Sequence, residues 1–395
     1  MIVSKEQALE QEPPAVIKRT FKIDNHRTYL GQSIKEVRLG WECHGTLNAA
    51  RDNAIVVFHH LHGHSHFAGK YRSTEKRAGY WDGLIGPGKV IDTDRFFVLS
   101  MDSLCNVNAY HPDVVTTGPA SINPDTGKPY GPTFPIITYH DMVDTQVALL
   151  DHLGIKTLHA ALGVSAGGHH CLELATAYPK RVRKIIPIAC GLQSDAWLIA
   201  WANVWIAQLK LDPDWNGGYH HEDRKPTQGL IAALKMISMI GRDWSYTNDP
   251  VIPADTGGRK IFGRAWADPE RDPATSPDHR YLIEADLERG AVNGARHMDA
   301  NHFHYLAQAA KSFTIRRSGS MTATLARLRA EVLMIHHLNA DHLSRTETVT
   351  AAIARMLEVG VRMEVLELSG TLGHIDFVAI QQPRVASAIG RFLAR

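Results

Sequence analysis

Cysteine and long apolar runs are scarce in this chain, and their scarcity excludes several classes of protein. The 395 residues include four widely spaced cysteines without a Cys-x-x-Cys pair, so neither a disulfide framework nor a zinc knuckle is indicated. No uninterrupted apolar run reaches about 18 residues, and the amino-terminal residues lack a charged region followed by an apolar core. We therefore expect a soluble, cytoplasmic protein that does not bind a membrane.

The chain also lacks a large excess of either positive or negative charge. The 43 basic and 41 acidic side chains are interspersed and give a net charge of +2, so no broad basic face for nucleic acid is indicated. Apolar residues, in contrast, make up 44% of the chain, which is enough to form a full hydrophobic core. The length allows one large α/β domain with an insertion, or two domains.

The most informative motif is Gly-Val-Ser-Ala-Gly at residues 163–167, which matches G-x-S-x-G. It lies between an apolar run, 158–162, and a helix-like stretch, 166–178. A strand that turns sharply into a helix strains its turn residue, and the flanking glycines remove side chains that would clash there. Ser165 is therefore a candidate nucleophile, and a serine in an ordinary glycine-rich turn is the alternative.

The partners of such a serine follow it along the chain, first the acid and then the histidine, each after a later strand. The run 331–336 reads as a short buried strand, and Asp341 comes just past its end. Residues 363–368 alternate like another strand, and Gly-Thr-Leu-Gly-His374 follows them. Asp341 would orient His374, which would take the proton of Ser165 and later return it.

Ester chemistry also needs hydrogen-bond donors for the oxyanion. The backbone amide of Ala166, directly after the serine, is one candidate. The second donor is expected in a loop after an early strand, and the β-branched run 53–58 breaks into His-His-Leu-His-Gly at residues 59–63. The amide of Leu61 is our candidate.

This loop holds five histidines: His59, His60, His62, His64 and His66. Imidazole is a common metal ligand, but no Asp, Glu or Cys lies between His59 and Lys70 to complete a site. We predict no metal, and expect some rings to pack under the loop and others, such as His60, to line the pocket. His169 and His170 are likewise predicted to be packing or pocket residues.

Strand-like runs alternate with helix-like runs along the chain, which is typical of a mostly parallel sheet. The strand-like runs are 54–58, 96–100, 158–162, 185–189, 332–335 and 363–368. A helix with a capping-box pattern begins after Thr138, and a last helix spans 383–393. Between about 191 and 322 the alternation stops, so we predict a core domain of 1–190 and 323–395 with a helical lid, 191–322, inserted above the sheet edge.

Several unusual strings resemble a known family. They lie at 81–88, 92–95, 117–124, 126–131, 141–143, 212–218 and 299–301. From about Gly40 to Phe392 the chain resembles the homoserine O-acetyltransferase family of α/β-hydrolases. The resemblance implies the α/β-hydrolase fold with a helical lid, a Ser165, Asp341 and His374 triad, an oxyanion hole of the Leu61 and Ala166 amides, and a homodimer formed through the lids. It also implies a ping-pong mechanism through an acyl-serine.

The departures from this family lie where the substrate should bind. Family transferases usually read Gly-His-Asp-Ala-Phe around the histidine, and that Asp resembles the group that holds the amine of homoserine. Here the run is Gly373-His-Ile-Asp-Phe377, with Ile375 in that place and Asp376 next to it. A free ammonium in a closed pocket without a carboxylate would cost several kcal/mol. The elbow, with Val164 and Ala166, and the stretch 105–116 also depart from the family.

Transferase and hydrolase share the step that forms acyl-Ser165 and differ in whether an alcohol or water then takes the acyl group. If the amino-acid acceptor site is lost, water becomes the default acceptor. We therefore predict a carboxylic ester hydrolase that cleaves small short-acyl esters of the acetate type and needs no cofactor.

The alternative is an acyl-CoA-dependent O-acyltransferase, acting on homoserine or another hydroxyl compound, with acetyl-CoA as co-substrate. A non-catalytic binding protein on the same scaffold would need a broken triad, and no triad residue is missing. Trp197, Trp201 and Trp205 fall on one helix face, which favours lid core or dimer seam over pocket wall.

Overall fold

The core of the molecule is one eight-stranded sheet. The computed structural model describes residues 16–220, 224–248, 271–316, 319–338, 341–370, 372–377 and 383–395. The sheet strands are β1 (Arg19–Arg27), β2 (Ser33–His44), β3 (Ala54–Phe58), β6 (Phe97–Met101), β9 (Leu158–Val164), β10 (Val182–Ile188), β11 (Glu331–His337) and β12 (Met363–Leu368). Two short ribbons pair β4 (Ile85–Gly86) with β5 (Ile91–Asp92) and β7 (Ile122–Asn123) with β8 (Lys128–Pro129).

The strand order of the sheet is β1-β2-β6-β3-β9-β10-β11-β12. β1 pairs antiparallel with β2, and β2 pairs antiparallel with β6, whereas the remaining neighbours are parallel. This confirms the predicted mostly parallel sheet. Since parallel strands end at the same edge, the loops after β3, β9, β11 and β12 meet at the carboxyl edge of the sheet.

The central strands are buried on both faces. In β3, Ile55 and Val57 belong to one hydrophobic cluster, and Val56 and Phe58 belong to the other. The alternation follows from the period of two along a strand, and burial on both faces explains the continuous apolar runs in the sequence.

The helices are α1 (Tyr139–His152), α2 (Ala166–Ala177), α3 (Ala196–Leu211), α4 (Thr227–Gly241), α5 (Trp244–Asn248), α6 (Leu282–Ala295), α7 (Ala300–Lys311), α8 (Met321–Leu325), α9 (Thr346–Glu358) and α10 (Pro383–Ala394). The predicted capping box is present at α1, where the amide of Thr138 donates to Asp141 Oδ2 at 2.6 Å. Within the described ranges, none of these helices combines the length and the apolar character needed to span a bilayer.

Helices α3 to α7 lie between β10 and β11, within the predicted lid segment. α3 packs against α4 and α7, and α4 packs against α6. In the described part of this segment, β-pairing is confined to isolated bridges, such as the one between Gln193 and Thr314. The division of the chain into a core domain and a lid domain stays a prediction.

Sequence reasoning located six sheet strands to within three residues of their observed ends but predicted none before residue 54. It missed β1 and β2. In β2, Ile34 is buried, and so are Val37 and Leu39, so the apolar alternation changes phase between residues 34 and 37. Glu36 at this point has a φ of 51°, which rotates the strand and breaks the pattern of period two.

Candidate active site

Ser165 occupies the sharp turn between β9 and α2. Its backbone has φ 57° and ψ −116°, a conformation that residues with a side chain rarely adopt. The amide of Ser165 donates a hydrogen bond of 2.8 Å to the carbonyl of Ile188 at the end of β10. The neighbouring strand therefore holds the serine in a strained turn at the carboxyl edge of the sheet.

The glycines on either side of Ser165 are required by close backbone contacts. A Cβ on Gly163 would lie 2.5 Å from the carbonyl carbon of Gly167. A Cβ on Gly167 would lie 3.0 Å from the carbonyl carbon of Phe58 and would overlap its oxygen. Because real Cβ atoms do not approach backbone so closely, the start of α2 can pack on the end of β3 only with glycine here.

His374 and Asp341 are joined by a hydrogen bond. His374 Nδ1 lies 2.8 Å from Asp341 Oδ2. The carboxylate of Asp341 is 2% exposed, and its Oδ1 accepts the amides of Leu343 at 2.9 Å and Ser344 at 2.8 Å. These two amides fix the orientation of the carboxylate, which in turn fixes the ring of His374.

One cavity of about 570 Å³ connects the predicted residues. Its lining includes Ser165, His374, Leu61, Ala166, His60 and Ile375. Asp341 is buried, and its carboxylate is in contact with His374. The side chain of Asp376 lies outside the described part of the structure. The residues predicted to act as nucleophile, base and oxyanion donors therefore line a common space, which is the arrangement that we expect for acyl transfer.

The segment 59–66 contains Leu61, the predicted oxyanion donor, and is here called the oxyanion loop; hydrogen bonds hold it at its start. His59 Nε2 accepts the amide of Ser103 at 3.2 Å, so the ring proton is on Nδ1, which donates to the carbonyl of His60 at 2.8 Å. The amide of Gly63 also donates to the carbonyl of His60, at 2.9 Å. Burial lowers the pKa of His59, which favours the neutral ring that this bonding pattern needs.

Two asparagines that sequence reasoning gave no role clamp the oxyanion loop. Asn106 donates to the carbonyl of Gly63 at 3.0 Å, and Asn108 donates to the carbonyl of His62 at 2.9 Å. They belong to the stretch 105–116, which was noted only as a departure from the family. The sequence signal that could have found them is the pair of asparagines two positions apart, shortly after a strand-like run. Polar groups of this kind need hydrogen-bond partners when they are buried.

The same two loops are tied to the core by a buried carboxylate, which sequence reasoning also missed. Asp102 is fully buried directly after β6, and its Oδ1 accepts the amide of Ser65 at 2.8 Å. Its Oδ2 accepts the amide of Val115 at 2.9 Å and lies 2.8 Å from Lys18 Nζ. The ion pair compensates the buried charge, and the two amides connect the oxyanion loop to the segment that carries the asparagines.

Some histidines of the oxyanion loop line the cavity, and others stack on neighbouring aromatic rings. His60 and His62 line the cavity, and loss of solvent lowers the pKa of His60 to about 3 and that of His62 to about 4. The His64 ring stacks on His111 at a centroid distance of 5.2 Å, and His66 stacks on Tyr71 at 4.1 Å. In the ranges that the structure describes, no group of three or more His, Cys, Asp or Glu side chains could hold a metal ion.

His169 and His170 occupy the first turn of α2. His169 lines the cavity and stacks on Phe313 at a centroid distance of 4.0 Å. His170 lies under the turn, where its Nδ1 is 2.7 Å from the carbonyl of Ala166, and stacks on Phe58. Burial lowers the pKa of each ring to about 3, so both are neutral at pH 7.

The sheet and the turn at Ser165 define the class of this protein, the α/β-hydrolases. In agreement, residues 112–242 match the family model of the alpha/beta hydrolase fold. Homoserine O-acetyltransferase of Methanococcus vannielii is 34% identical over 364 residues, which cover 92% of this chain and 70% of that protein.

Two solved structures are similar over nearly their whole length. Esterase E22 has a TM-score of 0.87 and 39% identity, with 96% of this chain and 100% of that chain covered. Homoserine O-acetyltransferase from Bacillus anthracis has a TM-score of 0.85 and 31% identity, with coverage of 97% and 99%. The chain belongs to the homoserine O-acetyltransferase family of α/β-hydrolases, as the sequence motifs predicted.

Proposed function

We propose that this protein is a serine carboxylic ester hydrolase for short-acyl esters of the acetate type, and that it needs no cofactor. The observation that carries the proposal is the shared cavity of Ser165 and His374, with an isoleucine at position 375 in its wall. The similarity to esterase E22 supports the hydrolytic assignment. Acetate is favoured as the acyl group because the family is named for acetyl transfer.

In the proposed mechanism, Ser165 Oγ attacks the ester carbonyl while His374 takes the hydroxyl proton. Asp341 holds His374 in the required tautomer and stabilises the imidazolium. The amides of Leu61 and Ala166 donate to the oxyanion of the tetrahedral intermediate. The C–O bond to the alcohol then breaks, and His374 gives its proton to the leaving oxygen. Water, deprotonated by His374, attacks acyl-Ser165 and releases the acid in the same way.

The cavity lining argues against an amino-acid acceptor. Among the lining residues that the structure describes, Asp195 is the one carboxylate. It caps α3, where Oδ1 accepts the amide of Leu198 at 2.9 Å and Oδ2 accepts the hydroxyl of Thr348. Both oxygens are therefore already engaged, and Ile375 supplies no charge for a substrate ammonium. An ammonium in this cavity would lose hydration without gaining a dedicated carboxylate.

The second candidate is an acyl-CoA-dependent O-acyltransferase, such as homoserine O-acetyltransferase, with acetyl-CoA as co-substrate. The observation that favours it is the name of the sequence relatives, which are called homoserine O-acetyltransferases. Both candidates use acyl-Ser165, so acceptor dependence separates them.

The deciding experiment measures acetate release from an alkyl acetate beside CoA release from acetyl-CoA, with and without L-homoserine. We expect rapid hydrolysis that the Ser165→Ala variant lacks, and no stimulation of CoA release by homoserine. Acetyl transfer to homoserine that is faster than ester hydrolysis would reject the esterase in favour of the transferase. Equal activity of the wild type and the Ser165→Ala variant would reject both.

We also propose that the protein forms a homodimer through α3. This helix carries an apolar stripe of Trp197, Ala200, Val204, Ala207 and Leu211, at the spacing of three and four residues that places them on one face. Trp197 is 47% exposed, Val204 37% and Leu211 76%. The opposite side of α3 packs on α4 and α7. The stripe stays largely exposed, although the indole of Trp197 donates to the carbonyl of His342 at 2.8 Å, and we infer that it meets a second copy.

A further inference from the structure

The mechanism fixes which end of the ester faces His374. His374 gives its proton to the leaving oxygen, so that oxygen must lie beside the ring when the C–O bond breaks. The alcohol half of the substrate therefore extends to the His374 side of Ser165. This step rests on the proposed function.

The His374 side of the cavity is formed by the lid. His374 lies in a short 3₁₀ helix, Gly373–Phe377, whose first residue packs on the end of α4. A Cβ on Gly373 would lie 2.7 Å from the amide nitrogen of Asp243 and 3.0 Å from the carbonyl carbon of Arg242. The backbone before His374 is thus in contact with the end of α4, and α4 packs in turn on α6.

The cavity wall on this side is largely apolar, with Ser238 of α4 and Asn293 of α6 as its polar members. α4 contributes Leu234 and Ile237, and Ile375 lies next to His374 in the wall. Small side chains on α6 leave the space open, because Ala291 and Gly294 line the cavity one helical turn apart.

The arginine at the end of this wall is in an ion pair. Arg242 lines the cavity at the end of α4, and its guanidinium Nη1 lies 3.1 Å from Asp286 Oδ2. An apolar group that enters here replaces water against Leu234, Ile237 and Ile375 without separating an ion pair. A cavity of about 570 Å³ is also far larger than a short acyl group requires.

We propose that the alcohol half of the substrate is apolar and extended, so that the enzyme cleaves short-acyl esters of medium-chain alkyl or aryl alcohols. The lid wall of α4 and α6 then sets the alcohol specificity. Methylene groups added to the alcohol are buried against this wall, whereas methylene groups added to the acyl chain are not.

The test compares two ester series with the wild-type protein. In alkyl acetates from ethyl to octyl, we expect kcat/KM to rise about fourfold per added methylene over the first additions, the equivalent of about 0.8 kcal/mol each. In ethyl esters from acetate to octanoate, we expect no comparable rise. A flat or falling alkyl acetate series, or a rise confined to the acyl series, would overturn the proposal.

The second part of the test fills the cavity with a larger side chain. A Cβ on Gly294 would lie 3.5 Å from Leu234 Cδ1, so the Gly294→Phe variant places its ring against this wall. We expect it to lose at least tenfold in kcat/KM for octyl acetate relative to ethyl acetate, with Gly294→Ala as the matched control. Ile237→Phe is the second variant, in case Gly294→Phe fails to fold. An unchanged ratio of kcat/KM for octyl acetate to kcat/KM for ethyl acetate in a folded variant contradicts the proposal.

The outcomes separate this proposal from the proposed function. If no ester in either series is hydrolysed in a Ser165-dependent way, the hydrolase assignment fails and this inference fails with it. If ethyl acetate is hydrolysed but the alkyl series is flat, the hydrolase assignment stands and only the alcohol specificity is wrong.

Discussion

Asn108 donates a hydrogen bond of 2.9 Å to the carbonyl of His62, the residue that follows Leu61. The amide of Leu61 is our candidate for the second oxyanion donor, so a side chain on a different loop holds the backbone two peptide groups further along the same loop. Asn106 does the same one residue later, at the carbonyl of Gly63. The oxyanion loop is thus clamped from the segment 105–116.

Replacement of Asn108 by alanine should lower kcat more than it changes KM. The carbonyl of His62 loses its partner and the amide of Leu61 loses its fixed direction, so we expect a decrease in kcat of about tenfold to a hundredfold. Loss of a whole oxyanion donor lowers the rate by about a hundredfold to a thousandfold, and this sets the upper limit for the effect of Asn108→Ala. Steady-state kinetics on an alkyl acetate measure it, with Asn25→Ala on the exposed strand β1 as the control. An unchanged kcat would show that the clamp does not position the donor.

Replacement of Gly167 by alanine should destabilise the protein. Its Cβ would lie 3.2 Å from the carbonyl oxygen of His59 and closer still to the backbone of Phe58, neither of which can move without shifting the loop. We expect a loss of about 1–3 kcal/mol in the free energy of unfolding, measured by urea denaturation. Gly290→Ala is the matched control, because a Cβ there meets nothing within 4 Å. Similar stability of the two variants would contradict the close packing.

Acid should destabilise the fold through the buried histidines of α2. Burial lowers the pKa of His169 and His170 to about 3, below the value of 6.5 for the unfolded chain. Below pH 6.5 the unfolded chain therefore binds more protons, and stability falls as the pH falls toward 3. From pH 7.5 to pH 5 the two rings together should cost about 4 kcal/mol.

Urea denaturation between pH 7.5 and pH 5 measures this loss. The His169→Phe variant should lose less stability over the same range, by about 2 kcal/mol, because one titrating group is removed. His152→Gln changes an exposed ring at the end of α1 and serves as the control. The same pH dependence in the wild type and in His169→Phe would show that His169 is not held neutral.

A charge on the α3 stripe should dissociate the proposed homodimer. Val204 lies in the middle of the stripe and is 37% exposed, so Val204→Glu would bury an unpaired carboxylate at the interface. Light scattering after size exclusion should give twice the monomer mass for the wild type and the monomer mass for the variant. The control is Asn48→Glu, which changes an exposed residue between β2 and β3 and should leave the mass unchanged. A monomeric wild type would reject the dimer.

An aspartate at position 375 should favour transfer over hydrolysis. Ile375 lines the cavity next to His374, and a carboxylate there would give a substrate ammonium a charged partner. We expect the ratio of homoserine-stimulated CoA release to alkyl acetate hydrolysis to rise about tenfold in Ile375→Asp. The control is Ile375→Asn, because asparagine is close to aspartate in shape but carries no charge. Equal ratios in the two variants would show that this position does not meet the amine.

The sequence by itself determined the parts of this protein that depend on local order. Apolar runs, and alternation in 363–368, identified six of the eight sheet strands. The strand, serine and helix around residue 165 predicted the strained turn. The order of Ser165, Asp341 and His374 along the chain was enough to name them as candidates, because the loops after parallel strands meet at one edge.

The tertiary structure decided what depends on contacts between distant segments. β2 escaped prediction because the rotation at Glu36 breaks its alternation, and β1 because it is largely exposed and has few apolar residues. The local sequence around Asn106, Asn108 and Asp102 marks polar groups but does not show what they bind, since each accepts from or donates to backbone about 40 residues away. The size of the cavity and its largely apolar wall likewise arise only when α3, α4 and α6 pack together beside the loops of the sheet, because no single segment encloses the cavity.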